Sequence, residues 1–183
     1  MFLSLSVFII YLPTWLEDSF DSSLTTIGYI FAVGGVANVI AGPSSGWISD
    51  KIGRKNMIIT SSFGLSILMV STTFFVTELA YAFILFPVAM ILIAMRISPF
   101  QALSSELVKS NNRGTMMSLL VAIGQVGYGL GGSIAGPLYS VEGYASNTYF
   151  GAAAIFLTAI IVWKFVPEPE LRTSPLPEPS IIE

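Results

Sequence analysis

Gly46-Trp47-Ile48-Ser49-Asp50-Lys51-Ile52-Gly53-Arg54-Lys55 is a short charged run between two long apolar stretches, residues 25–49 and 56–77. Each flanking stretch is long enough to cross a hydrocarbon core of about 30 Å as a helix rising about 1.5 Å per residue. The charged run is therefore a turn at a membrane surface. Lys51, Arg54 and Lys55 suit the cytoplasmic side of a bilayer, where basic residues accumulate near span ends. That rule requires neither Asp50 nor the two glycines, Gly46 and Gly53, so the run holds more than a topology signal.

Composition extends this inference to the whole chain. Of 183 residues, 54% are hydrophobic and only 10% charged, and the mean hydropathy is +0.78. A soluble domain of this size cannot hide so much apolar surface in one core. The chain is an integral membrane protein in contact with the lipid bilayer. A formal charge of −3, spread along the chain, argues against nucleic acid as a partner. Cysteine and histidine are both absent, which excludes disulfides, thiolate metal sites and imidazole chemistry. No catalytic residue, metal or cofactor is expected.

Six spans are predicted: residues 2–16, 25–49, 56–77, 79–101, 114–140 and 147–166. Continuous runs of this length exclude an outer-membrane barrel, whose strands alternate over shorter segments. The first span covers only about 22 Å, so the chain is expected to begin inside a helix of a longer parent. Met1-Phe2-Leu3 lacks the basic start of a signal peptide. Seven of the eight basic residues fall on one side: Lys51, Arg54 and Lys55, then Lys109 and Arg113, then Lys164 and Arg172. The other connections carry acids only: Glu17, Asp18 and Asp21, then Glu78, then Glu142. Both termini are thus expected in the cytoplasm of a multi-pass protein of the plasma or inner membrane. Residues 167–183 contain five prolines and scattered acids, and are predicted to be a disordered cytoplasmic tail.

The chain also repeats itself. Residues 35–43, GVANVIAGP, and 129–137, GLGGSIAGP, agree at five of nine positions with an offset of 94, about half the chain. They lie in the second and fifth spans, which cross in opposite directions, as in a three-plus-three inverted repeat. Gly42 with Gly46, and Gly132 with Gly136, are small-xxx-small pairs suited to close helix packing. Gly124, Gly127, Gly129, Gly131, Gly132 and Pro137 predict a flexible or kinked fifth span.

The run Gly46–Lys55 resembles the signature loop of the major facilitator superfamily, G-x-x-x-D-[RK]-x-G-[RK]-[RK], at every fixed position and in the expected place, after the second span of a six-helix half. Glu106 and Arg113 resemble the E-x6-R pattern of sugar porters. Gly132 to Pro137 resembles the G-x3-G-P motif of antiporters, without the Gly-Gly that follows it there. The resemblance implies an all-α membrane fold, half of a twelve-helix transporter. Tyr11-Leu12-Pro13-Thr14-Trp15, residues 99–114 and the Pro-rich end resemble the C-terminal half. It further implies a companion half, covalent or homodimeric, and movement of a small organic solute by alternating access. Proton-coupled efflux is favoured by the fifth span, and sugar or metabolite uptake is the alternative.

Within that frame, Asp50 is expected to accept hydrogen bonds from a neighbouring helix N-terminus. Arg54 is expected to pair with Glu106, and Arg113 to complete a ring of charge. Arg96 stands inside the fourth span, about 6–9 Å from its centre. Two outcomes are open to it: snorkelling to the interface, or binding an anionic group of the solute or the companion half. Tyr11, Trp15, Asn38, Gln101 and Gln125 are further substrate-binding candidates. No Asp or Glu lies within a predicted span, so a titrating carboxylate for proton coupling would belong to the companion half. Two other classes remain. A non-transporting fragment or assembly subunit is one. A serine hydrolase is the other, since Gly42-Pro43-Ser44-Ser45-Gly46 fits G-x-S-x-G, though that chemistry needs a strand-to-helix elbow and a base.

Overall fold

Pro13 divides the first span. It offers no N–H to the carbonyl of Ile9 and its ring crowds that turn, so the chain forms α1 (Phe2–Ile10) and α2 (Leu12–Phe20) with Tyr11 between them. The structure is a computed structural model in which residues 1–106 and 108–166 are described. The remaining elements are α3 (Leu24–Ile52), α4 (Arg54–Phe75), α5 (Leu79–Glu106), a 3-10 turn (Ser110–Asn112), α6 (Arg113–Glu142) and α7 (Tyr144–Phe165). No strand occurs among the described residues. The expectation of a disordered tail at 167–183 lies outside them.

Five helices, α3 to α7 with the 3-10 turn leading into α6, are long and apolar enough to span a membrane. The predicted helix over 2–16 is corrected to the broken pair α1–α2, which extends to Phe20. Each piece has nine residues, about 14 Å, and neither crosses alone. α6 runs unbroken from Arg113 to Glu142 through Pro137, as α3 does through Pro43 and α5 through Pro87 and Pro99. Proline is tolerated in membrane helices because neighbouring groups re-satisfy the freed carbonyls.

α3 packs chiefly on α5, α4 on α5 and α7, and α1 on α6 and α7. Leu5, Phe8, Leu12 and Leu16 run down the centre, meeting Ile30 of α3, Leu65 and Met69 of α4, Phe86 and Ala89 of α5, and Ile155 of α7. α6 buries only Gly124, Gly131 and Ala135. It joins by backbone proximity rather than by large side chains. A side chain at Gly131 would overlap the Ser6 hydroxyl and the Leu3 carbonyl.

Two single-glycine turns mark the repeat. Gly53 (φ 94°) joins α3 to α4, and Gly143 (φ 68°) joins α6 to α7. Each donates its N–H to the carbonyl four residues back, Ser49 at 3.0 Å and Tyr139 at 2.8 Å. Left-handed φ with no intervening loop favours a residue without Cβ. The two turns lie at opposite ends of the bundle, because α3 and α6 run in opposite directions.

Candidate functional site

The basic turn is built on Gly53. By reversing the chain in one residue, it sets Asp50, in the last turn of α3, beside Arg54, the first residue of α4. Arg54 donates to Asp50 Oδ1 from Nη2 at 3.1 Å and from Nε at 3.3 Å. Its Nη1 lies 2.6 Å from Glu106 Oε2, at the end of α5. One guanidinium thus ties three helix ends together, using the fork geometry that suits arginine to carboxylates. The Arg54 side chain is 22% exposed and that of Glu106 is 41%. At that exposure, such a contact contributes at most about 1 kcal/mol.

Two expectations for this turn are corrected. Asp50 accepts from the Arg54 side chain, and no backbone N–H at the start of α4 bonds to it. The reversal at Gly53 brings the Arg54 guanidinium, rather than the free amides, to the carboxylate. Arg113 does not complete the ring. It begins α6, is exposed, and pairs with no carboxylate among the described residues. Lys51 turns back over the indole of Trp47, 3.5 Å from the ring centroid, and Lys55 forms no ion pair among the described residues. Gly46 lies on an open face, with nothing within 4 Å of where a Cβ would be.

Arg96 neither snorkels nor lines an open face. It is 0% exposed, and Nε, Nη1 and Nη2 have no hydrogen-bond partner among the described residues. The described acids all stand at helix ends or in connections, so none reaches it. A buried unpaired cation costs several kcal/mol, which makes Arg96 the most strained electrostatic feature of the bundle. Asn147 of α7 is also 0% exposed with both amide atoms unbonded. Its position in a mostly apolar run drew no attention to it in the sequence.

The remaining candidates disperse. Asn38 donates to the Met90 carbonyl at 2.9 Å, and Ser45 donates to that of Ala94 at 3.3 Å; both join α3 to α5. Asn38 is therefore spent on helix pairing. Gln101 and Gln125 are exposed on α5 and α6. Tyr11 stacks on Tyr139 at 5.1 Å and Trp15 on Tyr144 at 4.6 Å between centroids. Gly132 and Gly136 lie against Ile10 and Tyr11, whereas Gly42 meets nothing within 4 Å and its expected packing is not found here. Pro137 is exposed. Ser44 sits in the continuous helix α3, donating to the Ile40 carbonyl at 3.1 Å, so the elbow a G-x-S-x-G nucleophile needs is not formed. Asp18 and Tyr139, which bond at 2.7 Å, were missed because aromatic and acidic residues at span ends ordinarily mark only the membrane interface.

Comparison with known proteins agrees with this geometry. Residues 1–181 match the family profile described as Major Facilitator Superfamily. The chain is 30% identical over 155 residues to the uncharacterized MFS-type transporter YceJ of Bacillus subtilis (strain 168), covering 82% of this chain and 37% of that protein. It is 27% identical over 141 residues to multidrug resistance protein MdtG of Rahnella sp. (strain Y9602), covering 77% and 34% respectively. With MdtG of Yersinia enterocolitica serotype O:8 / biotype 1B (strain NCTC 13174 / 8081) it shares 26% over 162 residues, covering 86% and 39%. The chain thus spans little more than a third of these relatives. Its helices, its charged turn and the near-complete profile match together establish that the chain belongs to the Major Facilitator Superfamily.

Proposed function

We propose that the chain is one six-helix half, the C-terminal one, of a secondary transporter that expels a small organic solute by alternating access. The observation that carries this is the Arg54 bridge between Asp50 and Glu106, a weak joint among three helix ends at one membrane face. A joint worth about 1 kcal/mol biases a two-state equilibrium without locking it. Efflux as the direction is supported by the names of two relatives, both multidrug resistance proteins. Proton coupling would draw its titrating carboxylate from the companion half, and the basic end would face the cytoplasm.

Arg96 is the substrate-side candidate in this scheme. Its uncompensated charge calls for an anion, either a carboxylate of the companion half or an acidic group on the solute. An uptake porter half is the alternative suggested by the Glu106–Arg113 spacing, though only Glu106 of that pair joins the bridge. A non-transporting fragment or assembly subunit is the other alternative.

The test is reconstitution into liposomes, alone and with a companion half, with an imposed pH gradient and a panel of fluorescent organic cations and acids. Gradient-driven flux that collapses in Arg54→Gln and in Arg96→Gln is the expected result. Flux by neither preparation sinks the transport proposal and leaves the fragment alternative.

A further inference from the structure

The core of the bundle is two apolar clusters with a polar layer between them. Leu65 of α4, Ile93 of α5 and Ile155 of α7 belong to the large central cluster, while Ile58, Leu103 and Val162 of the same three helices form a small one towards the basic end. Between those positions stand Ser62, Arg96 and Thr158. The packing register agrees. A Cβ on Gly64 of α4 would lie 3.4 Å from the Leu92 side chain, one turn before Arg96, and Phe63 of α4 meets Phe156 of α7. We propose that Arg96 and Ser62 form an internal binding site for a small monovalent anion, of the size of chloride.

The layer offers donors and no free acceptor charge. Arg96 and Ser62 are both 0% exposed, and Nε, Nη1 and Nη2 of the one and Oγ of the other have no partner among the described residues. Thr158 is spent, since it donates to the Ala154 carbonyl at 2.9 Å and accepts from the Met1 nitrogen at 3.5 Å. Ser61 is spent on the Met57 carbonyl at 2.7 Å. What remains is a guanidinium that can only donate and a hydroxyl free to do so. On α5 the one described acid is Glu106, about 15 Å along the helix from Arg96 and already bound to Arg54. An unpaired charge at this depth is costly, and an anion accepting charge-assisted hydrogen bonds offsets that cost.

The enclosure sets the size of the guest. Apolar clusters close the layer on both sides and neither side chain touches solvent, so the anion is small and enters as the helices breathe. One guanidinium balances one negative charge, and a multiply charged phosphate or sulfate would lose more hydration than it regains here. The site stands apart from the transport reading above, in which Arg96 takes a carboxylate from the solute or the companion half.

The test is thermal unfolding of the whole chain in detergent as sodium chloride replaces sodium gluconate. Ionic strength is held constant, so screening of the Arg54–Glu106 contact does not change. A ligand that binds only the folded chain raises the unfolding temperature by mass action, here by about 5 °C as chloride reaches ~100 times its Kd. Arg96→Met, which removes the charge and keeps an apolar stem, should abolish the rise. Ser62→Ala should raise the half-maximal chloride concentration about fivefold, the loss of one hydrogen bond. Arg113→Gln removes an exposed arginine and should change nothing. No rise in the parent overturns the site, as does a rise that persists in Arg96→Met or vanishes in Arg113→Gln. Where Arg96→Met does not fold, an unshifted midpoint in Ser62→Ala overturns it. Sodium acetate in the same series is the carboxylate arm: a rise with acetate and none with chloride, lost in Arg96→Met, assigns Arg96 to a carboxylate and overturns the inorganic site. Unfolding needs no flux, so a chain that transports nothing but responds to chloride leaves the site standing, and flux without a chloride response sinks the site alone.

Discussion

α3 and α6 carry the same glycine motif and use it differently. In α6, Gly131, Gly132 and Gly136 close on α1, where the backbones come so near that a side chain at Gly131 would strike the Leu3 carbonyl. In α3, Gly35, Gly42 and Gly46 face open space, and the helix is joined to α5 through Asn38 and Ser45 and through Gly34 against the Phe86 ring. The ends differ as well. The last turn of α3 carries Asp50, a carboxylate bonded by the arginine that follows the turn, and the last turns of α6 carry Tyr139, a tyrosine bonded to a carboxylate. A repeated motif preserves the helix and its turn, while the neighbour decides which residues bear load.

The sharpest break of this comparison is a pair of leucines. Gly131→Leu drives a side chain into α1 backbone that cannot move aside, and is expected to cost about 3 kcal/mol or more by overpacking. Gly42→Leu, with nothing near it, should leave the thermal stability of the chain in detergent unchanged. Equal loss in both would show that the α3 glycines are also packed.

Next in size are the turns. Gly53→Ala and Gly143→Ala each force a Cβ into positive φ, at about 1–2 kcal/mol. Similar losses in chemical denaturation would support the equivalence of the two turns, and a loss at one alone would break it. Smaller effects separate the end contacts. Glu106→Gln should cost about 0.2–1 kcal/mol, with the loss fading as salt is raised through the Debye regime. Tyr139→Phe removes a hydrogen bond to an exposed carboxylate, about 1 kcal/mol, and its effect should depend less on salt because the tyrosine is neutral. Stability measured at low and high salt distinguishes them. The smallest expected change is Asn38→Leu, near 0.6 kcal/mol, the mean for interhelical hydrogen bonds in a membrane. A Gln125→Leu control on α6, where Gln125 is exposed, should change nothing.

Much of the fold was legible because the bilayer imposes a coarse rule: continuous apolar runs of sufficient length become helices. Five of the six spans end within a few residues of the predicted limits. The first differs, because Pro13 splits residues 2–20 into two short helices. The Arg54–Glu106 contact was legible too, through the resemblance of Gly46–Lys55 to a family loop. The partners of Asp50 and Arg113 were not, because they depend on the angle at which Gly53 turns the chain.

By itself the sequence determined a membrane-embedded, all-helical chain with a charged turn, an internal repeat and a family. Hydrophobic length, charge asymmetry and local motifs are properties of the chain alone, and they survive any arrangement of the helices. Only the tertiary structure decided that Arg96 is sealed inside without an acceptor, that Asn38 serves pairing, that the glycines of α6 touch α1 while those of α3 do not, and that Asp18 meets Tyr139. Those facts depend on which face of each helix turns inward. In a chain apolar on nearly every side, no hydrophobic pattern records that orientation; small side chains and a few hydrogen bonds select it once the helices meet.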